Sequence, residues 1–194
     1  MAFKKHNIPN IISVARVPMA IACSYLAFQN TFESLVWSFL LFLLASITDY
    51  IDGYLARKWN IVSNFGKIMD PIADKILILG VLLAFYVNGL IPIYIFIILS
   101  LREIGLTVIR LILVSKKVIL QSEYSGKVKT FSQIIYIIVI YVISITSHYY
   151  NYDINEDIVK WINYVLLAWI VFITLYSGYE FIKNNKKAIV LLFD

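Results

Sequence analysis

Four aspartates lie within one short stretch of the chain, and their spacing favours a metal site. They form two pairs, Asp49 with Asp52 and Asp70 with Asp74, separated by three and four residues. Residues with these separations lie on one face of a helix, so each pair directs its carboxylates the same way. If the two helices are neighbours, the four carboxylates form one cluster.

The strongly apolar sequence around this acidic cluster makes a counter-charge necessary. An ionised aspartate at the centre of a membrane helix costs about 2.5–3.5 kcal/mol on insertion scales, so four would cost roughly 10–14 kcal/mol. Carboxylates without histidine or cysteine select hard cations, which favours Mg²⁺ or Mn²⁺ over Ca²⁺. Four acids can hold two such ions, and two-metal sites stabilise the attacking and leaving oxygens of a phosphoryl displacement. The cluster therefore predicts metal-assisted phosphoryl transfer.

The composition predicts that the elements around the cluster are membrane helices. Of 194 residues, 61% are hydrophobic and 15% are charged, whereas a soluble domain has just under half and about a quarter. A bilayer crossing takes around 20 apolar residues. Six runs have the required length: 9–29, 34–57, 68–88, 91–114, 127–147 and 157–182. We predict an all-α fold of six transmembrane helices, forming one domain over residues 1–194 with a polar cleft.

The positions of Lys and Arg predict the orientation in the membrane. They flank the first and sixth runs at the chain ends and lie between the second and third and between the fourth and fifth, while the connections 30–33, 88–91 and 148–157 contain none. Cytoplasmic loops carry the excess of cationic residues. Both termini and the polar cleft are therefore expected on the cytoplasmic side of an inner or plasma membrane. The net charge of +5 reflects this asymmetry, and no nucleic-acid-binding pattern appears.

Other residues near the acidic pairs have structural interpretations, and some of them also have a functional alternative. Pro9 and Pro71 are interpreted as first-turn residues, where the missing N–H costs nothing. A polar stripe recurs every three residues along the first helix: Asn10, Ser13 and Arg16. It serves either as capping with an arginine that reaches the interface, or as a face directed at the carboxylates. Lys75 either pairs with an aspartate or extends to the interface. The lone Cys23 is predicted to be a small packing residue.

Four cationic residues in the second half of the chain suggest a phosphate site. They are Arg102, Arg110, Lys127 and Lys129. An arginine inside a span is costly and usually functional, although Arg102 with the adjacent Glu103 also suits a structural ion pair. The lysines need no explanation beyond the cytoplasmic excess of positive charge. Together, however, the four suit a phosphate pocket, because Arg binds phosphate bidentately and Lys binds it as a point charge.

The acidic stretch resembles the complete signature of the CDP-alcohol phosphatidyltransferase family. Eight residues carry the resemblance, with the expected gaps: Asp49, Asp52, Gly53, Ala56, Arg57, Gly66, Asp70 and Asp74. The six predicted spans and the cytoplasmic termini also match the family architecture. The resemblance implies transfer of a phosphatidyl group from CDP-diacylglycerol to an alcohol, with release of CMP.

The resemblance also implies residue roles. Asp49, Asp52 and Asp70 would hold the metal ions, and Asp74 would be a further ligand and the general base. The CDP-lipid site would comprise Asn10, Gly53, Ala56, Arg57 and Gly66. Members are often dimeric, so a homodimer among membrane lipids is expected.

The acceptor alcohol is predicted from similarity to one branch of the family. The segments around Asn10, Arg102, Arg110 and Lys127 resemble the branch that uses glycerol 3-phosphate. This resemblance implies that the phosphate of glycerol 3-phosphate binds to Arg102, Arg110, Lys127 and Lys129. Inositol phosphate or another alcohol stays an alternative. A divalent-cation transporter is the alternative of another class, but no charges continue the path outward through spans two to five. A scaffold without catalysis would have no reason to keep four intramembrane acids.

Overall fold

The computed structural model describes residues 2–58, 64–116, 124–150 and 156–190, with side chains described from Val14 onward except at 50, 52–68, 156 and 187. Seven helices lie within these ranges: α1 (Ala2–Gln29), α2 (Phe32–Lys58), α3 (Asn64–Val87), α4 (Ile93–Ser115), α5 (Tyr124–Tyr150), α6 (Glu156–Asn184) and α7 (Lys186–Val190). Over the described residues no strand occurs. The all-α prediction is confirmed, and the six long helices coincide with the six predicted runs.

Three of the helices described are long and apolar enough to cross a membrane. Their apolar stretches are Phe32–Asp49, Tyr124–Tyr150 and Asp157–Asn184. α3 and α4 are no less apolar on average, but the described part of each carries three charged side chains. The chain is therefore a helical membrane protein. The charged side chains of α3 and α4 include four candidate site residues: Asp70 and Asp74 on α3, and Arg102 and Arg110 on α4.

Two helix starts differ from the prediction. α1 begins at Ala2 and α3 begins at Asn64, so Pro9 and Pro71 lie inside helices and their assignment to first turns was wrong. A proline removes one backbone hydrogen bond from a helix interior. Helices in an apolar environment tolerate that loss, because neighbouring helices and local adjustment satisfy the freed carbonyl.

The chain divides into two compact units, the first comprising Met1–Leu90 with Ser144–Tyr150 and the second Ile91–Ile143 with Asn151–Asp194. In the first unit, α1 packs against both α2 and α3. Cys23 is buried there and contacts Ser38 of α2, which confirms its packing role. A side chain at Gly80 would collide with the Ser24 hydroxyl, 2.1 Å from the added Cβ. Small residues thus bring α1 and α3 into close contact.

The turn between α1 and α2 lies at the end of α2 opposite Asp49. Asn30 adopts a left-handed conformation, with φ 49°, which ends α1. Thr31 and Ser34 then cap α2 reciprocally, because each side-chain oxygen accepts the other residue's backbone N–H. The Asn88 amide donates to the Ala27 carbonyl at 2.9 Å and links α3 to α1. These contacts fix the positions of α1, α2 and α3 along their helix axes.

In the second unit, α4 packs against α6 and α7. Side-chain hydrogen bonds join α5 to α6: the Tyr136 hydroxyl donates to Asn163 Oδ1 at 3.0 Å, and the Trp169 indole donates to the Ser132 hydroxyl at 3.1 Å. Such bonds between apolar helices fix their rotation about the helix axes. The polar face of α5 is thereby oriented as well.

Candidate active site

All four predicted metal ligands lie on two packed helices of the first unit, and the side chains of three of them are described. Asp49 is near the end of α2, and Asp70 and Asp74 are one turn apart on α3, which packs against α2. Asp70 and Asp74 repel the Asp49 carboxylate, whereas Arg16 and Lys75 attract it. The condition that the two acidic helices are neighbours is therefore met. The three carboxylates share one electrostatic environment.

Arg16 enters this acidic site from α1. Its side chain is 1% exposed, and its guanidinium donates to Asp49 Oδ1 at 2.5 Å. Asp49 itself is 49% exposed, so one carboxylate oxygen is held by a buried cation while the group stays accessible. Of the two interpretations of the polar stripe, the face directed at the carboxylates is confirmed for Arg16. The other stripe residues, Asn10 and Ser13, have side chains outside the described residues.

Lys75 contacts the aspartate that precedes it. Its ammonium donates to Asp74 Oδ2 at 2.8 Å, and both side chains are largely covered. The ion-pair interpretation of Lys75 is therefore confirmed. Neither Arg16 nor Lys75 was among the predicted site residues, although the spacing of the polar stripe and the position beside Asp74 were signals for both.

The described residues of the acidic site suit a divalent cation. Asp70 Oδ1 is buried and has no hydrogen-bond partner, a costly state for a carboxylate oxygen that a bound hard cation would relieve. Three carboxylates face two cations, which leaves one excess negative charge before Asp52 is counted. Among the described side chains, no three acids, histidines or cysteines converge closely enough to hold a metal. The side chain of Asp52, the fourth predicted ligand, lies outside the description, so the ligand set stays a prediction.

The predicted CDP-lipid residues belong to the same three helices. Their side chains fall outside the described residues, as does any contact they make: Asn10 on α1, Gly53, Ala56 and Arg57 on α2, and Gly66 on α3. Apart from Asn10, which is on a different helix from the aspartates, each lies within two helical turns of a paired aspartate along the chain. The assignment stays a prediction.

In the second unit, two of the four predicted phosphate-binding residues meet at a buried acid. Glu103 on α4 is 1% exposed and Lys129 on α5 is 2% exposed, and the lysine donates to Glu103 Oε1. Gln133, one turn further along α5, donates to the same oxygen at 3.3 Å. Arg102 Nη1 lies 3.4 Å from it. We call these four residues the Glu103 cluster.

A third helix also holds Arg102. The Nη2 of Arg102 donates to the Ser177 hydroxyl of α6 at 2.6 Å. The Arg102 side chain also lies against Gly178, where an added Cβ would be 3.7 Å from Arg102 Cγ. The ion-pair interpretation of Arg102 is confirmed, and a phosphate-binding role stays a prediction. Sequence reasoning did not list Gln133 or Ser177. Gln133 is four residues after Lys129, a spacing that was a usable signal.

The other two predicted phosphate-binding residues, Arg110 and Lys127, are exposed. Arg110 lies on α4, with its guanidinium carbon 5.4 Å from the centre of the Phe181 ring of α6. This is a cation–π contact. Lys127 lies on α5, two residues before Lys129. Both residues thus share helices with members of the Glu103 cluster.

Comparison with known proteins identifies the family. The family model described as CDP-alcohol phosphatidyltransferase matches residues 6–176. Relatives named CDP-diacylglycerol–glycerol-3-phosphate 3-phosphatidyltransferase include one from Bacillus subtilis, 35% identical over 77% of this chain and 74% of the relative. One from Rickettsia felis is 36% identical over 93% and 96%, and one from Mycoplasma genitalium is 47% identical over 54% and 44%. The chain belongs to the CDP-alcohol phosphatidyltransferase family.

Proposed function

We propose that this protein transfers the phosphatidyl group of CDP-diacylglycerol to glycerol 3-phosphate, giving phosphatidylglycerol phosphate and CMP. The observation that carries the proposal is the match over 93% of the chain to a relative whose name states this transfer. The two charge clusters support it: an acidic site suits the metal ions of phosphoryl transfer, and a cationic cluster suits an acceptor that is itself a phosphate ester.

The acidic site is proposed to bind two divalent ions, Mg²⁺ or Mn²⁺, through Asp49, Asp52, Asp70 and Asp74. Bound there, the ions would neutralise charge on the diphosphate and make its phosphorus more electrophilic. Arg16 holds Asp49 in place through the contact at 2.5 Å. It also limits the mutual repulsion of the carboxylates when the ions are absent.

Asp74 is proposed as the general base. Its carboxylate accepts the proton of the acceptor hydroxyl while that oxygen attacks the phosphorus that carries diacylglycerol, and the bond from this phosphorus to the CMP oxygen breaks. Lys75 fixes one carboxylate oxygen, Oδ2, at 2.8 Å. A base held in one orientation is in place before the acceptor arrives.

The other predicted functional residues are proposed to bind the two substrates. The CDP-lipid residues are Asn10, Gly53, Ala56, Arg57 and Gly66. The acceptor-phosphate residues are Arg102, Arg110, Lys127 and Lys129. Glycines and alanine beside the aspartates leave room for a nucleotide to approach the backbone, and guanidinium groups match the geometry of phosphate oxygens.

We also propose six membrane-spanning helices in one domain, with both termini and the active site on the cytoplasmic side, and a homodimer as the assembly. The distribution of Lys and Arg supports the orientation. Because Cys23 is the only cysteine, a Cys23→Ala background permits single-cysteine labelling at both chain ends. Labelling by an impermeant reagent from outside the cell would contradict the orientation, and mass measurement in detergent tests the dimer.

CMP release by the purified protein tests the proposed reaction. The assay contains CDP-diacylglycerol, Mg²⁺ and, in turn, glycerol 3-phosphate, inositol phosphate, serine or no acceptor. We expect release that requires both the metal ion and glycerol 3-phosphate. Release only with another alcohol would keep the family reaction and overturn the acceptor. Metal flux into liposomes without CMP release would instead indicate a cation transporter.

A further inference from the structure

The Glu103 cluster contains more positive charge than an isolated structural ion pair needs. Glu103 carries one negative charge, whereas Arg102 and Lys129 carry two positive charges. All three donors, including Gln133, converge on the single oxygen Oε1. The described residues thus hold a guanidinium and an ammonium around one acid, and these are the donor groups that suit a phosphate.

The cluster also connects three helices, α4 and α5 through the single acceptor Glu103 Oε1 and α6 through Arg102. Glu103 and Arg102 come from α4, Lys129 and Gln133 come from α5, and Ser177 of α6 holds the other guanidinium nitrogen of Arg102. Lysine and arginine have long side chains with many rotamers, and fixing them costs free energy. Contacts with Glu103 and Ser177 within the protein meet part of that cost. This is the arrangement expected of a preorganised anion site.

We infer that Glu103 is a positioning residue for the acceptor. It holds Arg102 and Lys129 in place and sets the charge of the pocket, so that the phosphate of glycerol 3-phosphate meets two cations already oriented. The inference rests on the proposed function. Glu103 acts through the cations and does not itself contact the reacting atoms.

The variant Glu103→Gln separates the charge of Glu103 from its shape. Glutamine keeps the length of the side chain and an accepting oxygen, but it removes the negative charge that restrains two mutually repelling cations. We expect KM for glycerol 3-phosphate to rise 10–100-fold, the usual range when a residue that orients a ligating side chain is lost. KM for CDP-diacylglycerol should stay within about twofold, because the loosened groups do not serve the donor.

Two further variants serve as matched comparisons. Glu180→Gln makes the same chemical change on α6, outside the Glu103 cluster, and should leave both KM values unchanged. Glu103→Asp keeps the charge on a shorter side chain and should give a KM for glycerol 3-phosphate between those of the wild type and Glu103→Gln. If Glu103→Gln does not accumulate, Glu103→Asp alone is the test: a KM for glycerol 3-phosphate above that of the wild type supports the inference, and a wild-type KM together with an unchanged Glu180→Gln would contradict it.

A double-mutant cycle with Lys129→Met tests whether Glu103 acts through the lysine. If it does, Glu103→Gln should raise KM for glycerol 3-phosphate much less in the Lys129→Met background than in the wild type. Equal factors in both backgrounds would overturn the inference, as would a parallel rise in both KM values with a lower melting temperature. Failure of the proposed function is distinguishable, because wild-type protein would then release no CMP with glycerol 3-phosphate.

Discussion

The acidic site and the Glu103 cluster are built on the same plan with opposite signs. In the first unit, the buried cation Arg16 lies among aspartates, and in the second, the buried anion Glu103 lies among cations. Arg16 and Glu103 are almost fully covered, and Lys75, the second cation of the acidic site, is 19% exposed. Each cluster retains one excess charge among its described residues, negative in the first unit and positive in the second.

The difference between the clusters lies in their exposure. Asp49 is half-exposed at the acidic site, whereas Lys129 is buried in the cationic cluster. An open carboxylate suits an ion that arrives with part of its water shell, as Mg²⁺ does. A covered, preset pair of cations suits a phosphate that must be selected over neutral alcohols. In each unit, a buried residue of opposite sign thus stabilises the like charges around it without cancelling their net charge.

Metal removal should have the largest effect on the acidic site, because the proposed reaction depends on the ions bound there. We expect EDTA to abolish CMP release and added Mg²⁺ or Mn²⁺ to restore it. Ca²⁺, which prefers more ligands and a looser geometry, should restore it poorly. Full activity after exhaustive chelation would show that the excess negative charge has another purpose.

Asp74→Asn should lower turnover by about 10²–10⁴-fold, the usual contribution of a general base. Binding of CDP-diacylglycerol should survive, because asparagine keeps the size and one oxygen of the side chain. The measurements are CMP release and donor binding, with the exposed Asp157→Asn as the control. Loss of donor binding together with activity would sink the base assignment and leave Asp74 as a ligand only.

Arg16→Met tests the minority charge of the acidic site. Turnover should fall by roughly tenfold, because Asp49 loses the contact that orients it. The Mg²⁺ concentration for half-maximal activity should fall as well, since one more uncompensated negative charge attracts the ion. Arg16→Lys should change both quantities less. A higher Mg²⁺ requirement in Arg16→Met would mean that Arg16 aids metal binding by geometry and not by charge.

Ser177→Ala should have the smallest effect, on the cationic cluster. It removes the hydrogen bond at 2.6 Å to Arg102, while Glu103 still holds the guanidinium. We expect KM for glycerol 3-phosphate to rise by about three- to tenfold, within the range for a lost bond to a charged group in a partly redundant setting. Ser132→Ala, which removes the bond to Trp169 instead, is the matched control. Equal KM values in both variants would show that Ser177 only packs the helices.

Local spacing was enough to predict the acidic pairs, but it did not identify their counter-charges. The contacts in which Arg16 meets Asp49 and Lys129 meets Glu103 join residues 33 and 26 positions apart. Periodicity within one helix gives the face on which a residue lies. It does not give the rotation of that face toward another helix. The same limit explains why Arg102 admitted two interpretations until its contacts with Glu103 and Ser177 were known.

The sequence alone determined the class of this protein: an all-helical membrane chain with six long helices and the eight-residue family signature. Those features depend on composition, helical period and short gaps, all of which are local. Tertiary structure decided which charges meet. A guanidinium 75 positions from its serine partner, or a glycine that admits Ser24 against α3, depends on how whole helices pack. Helix packing is set by the combined fit of many side chains, so only the folded chain determines the partners of its buried charges.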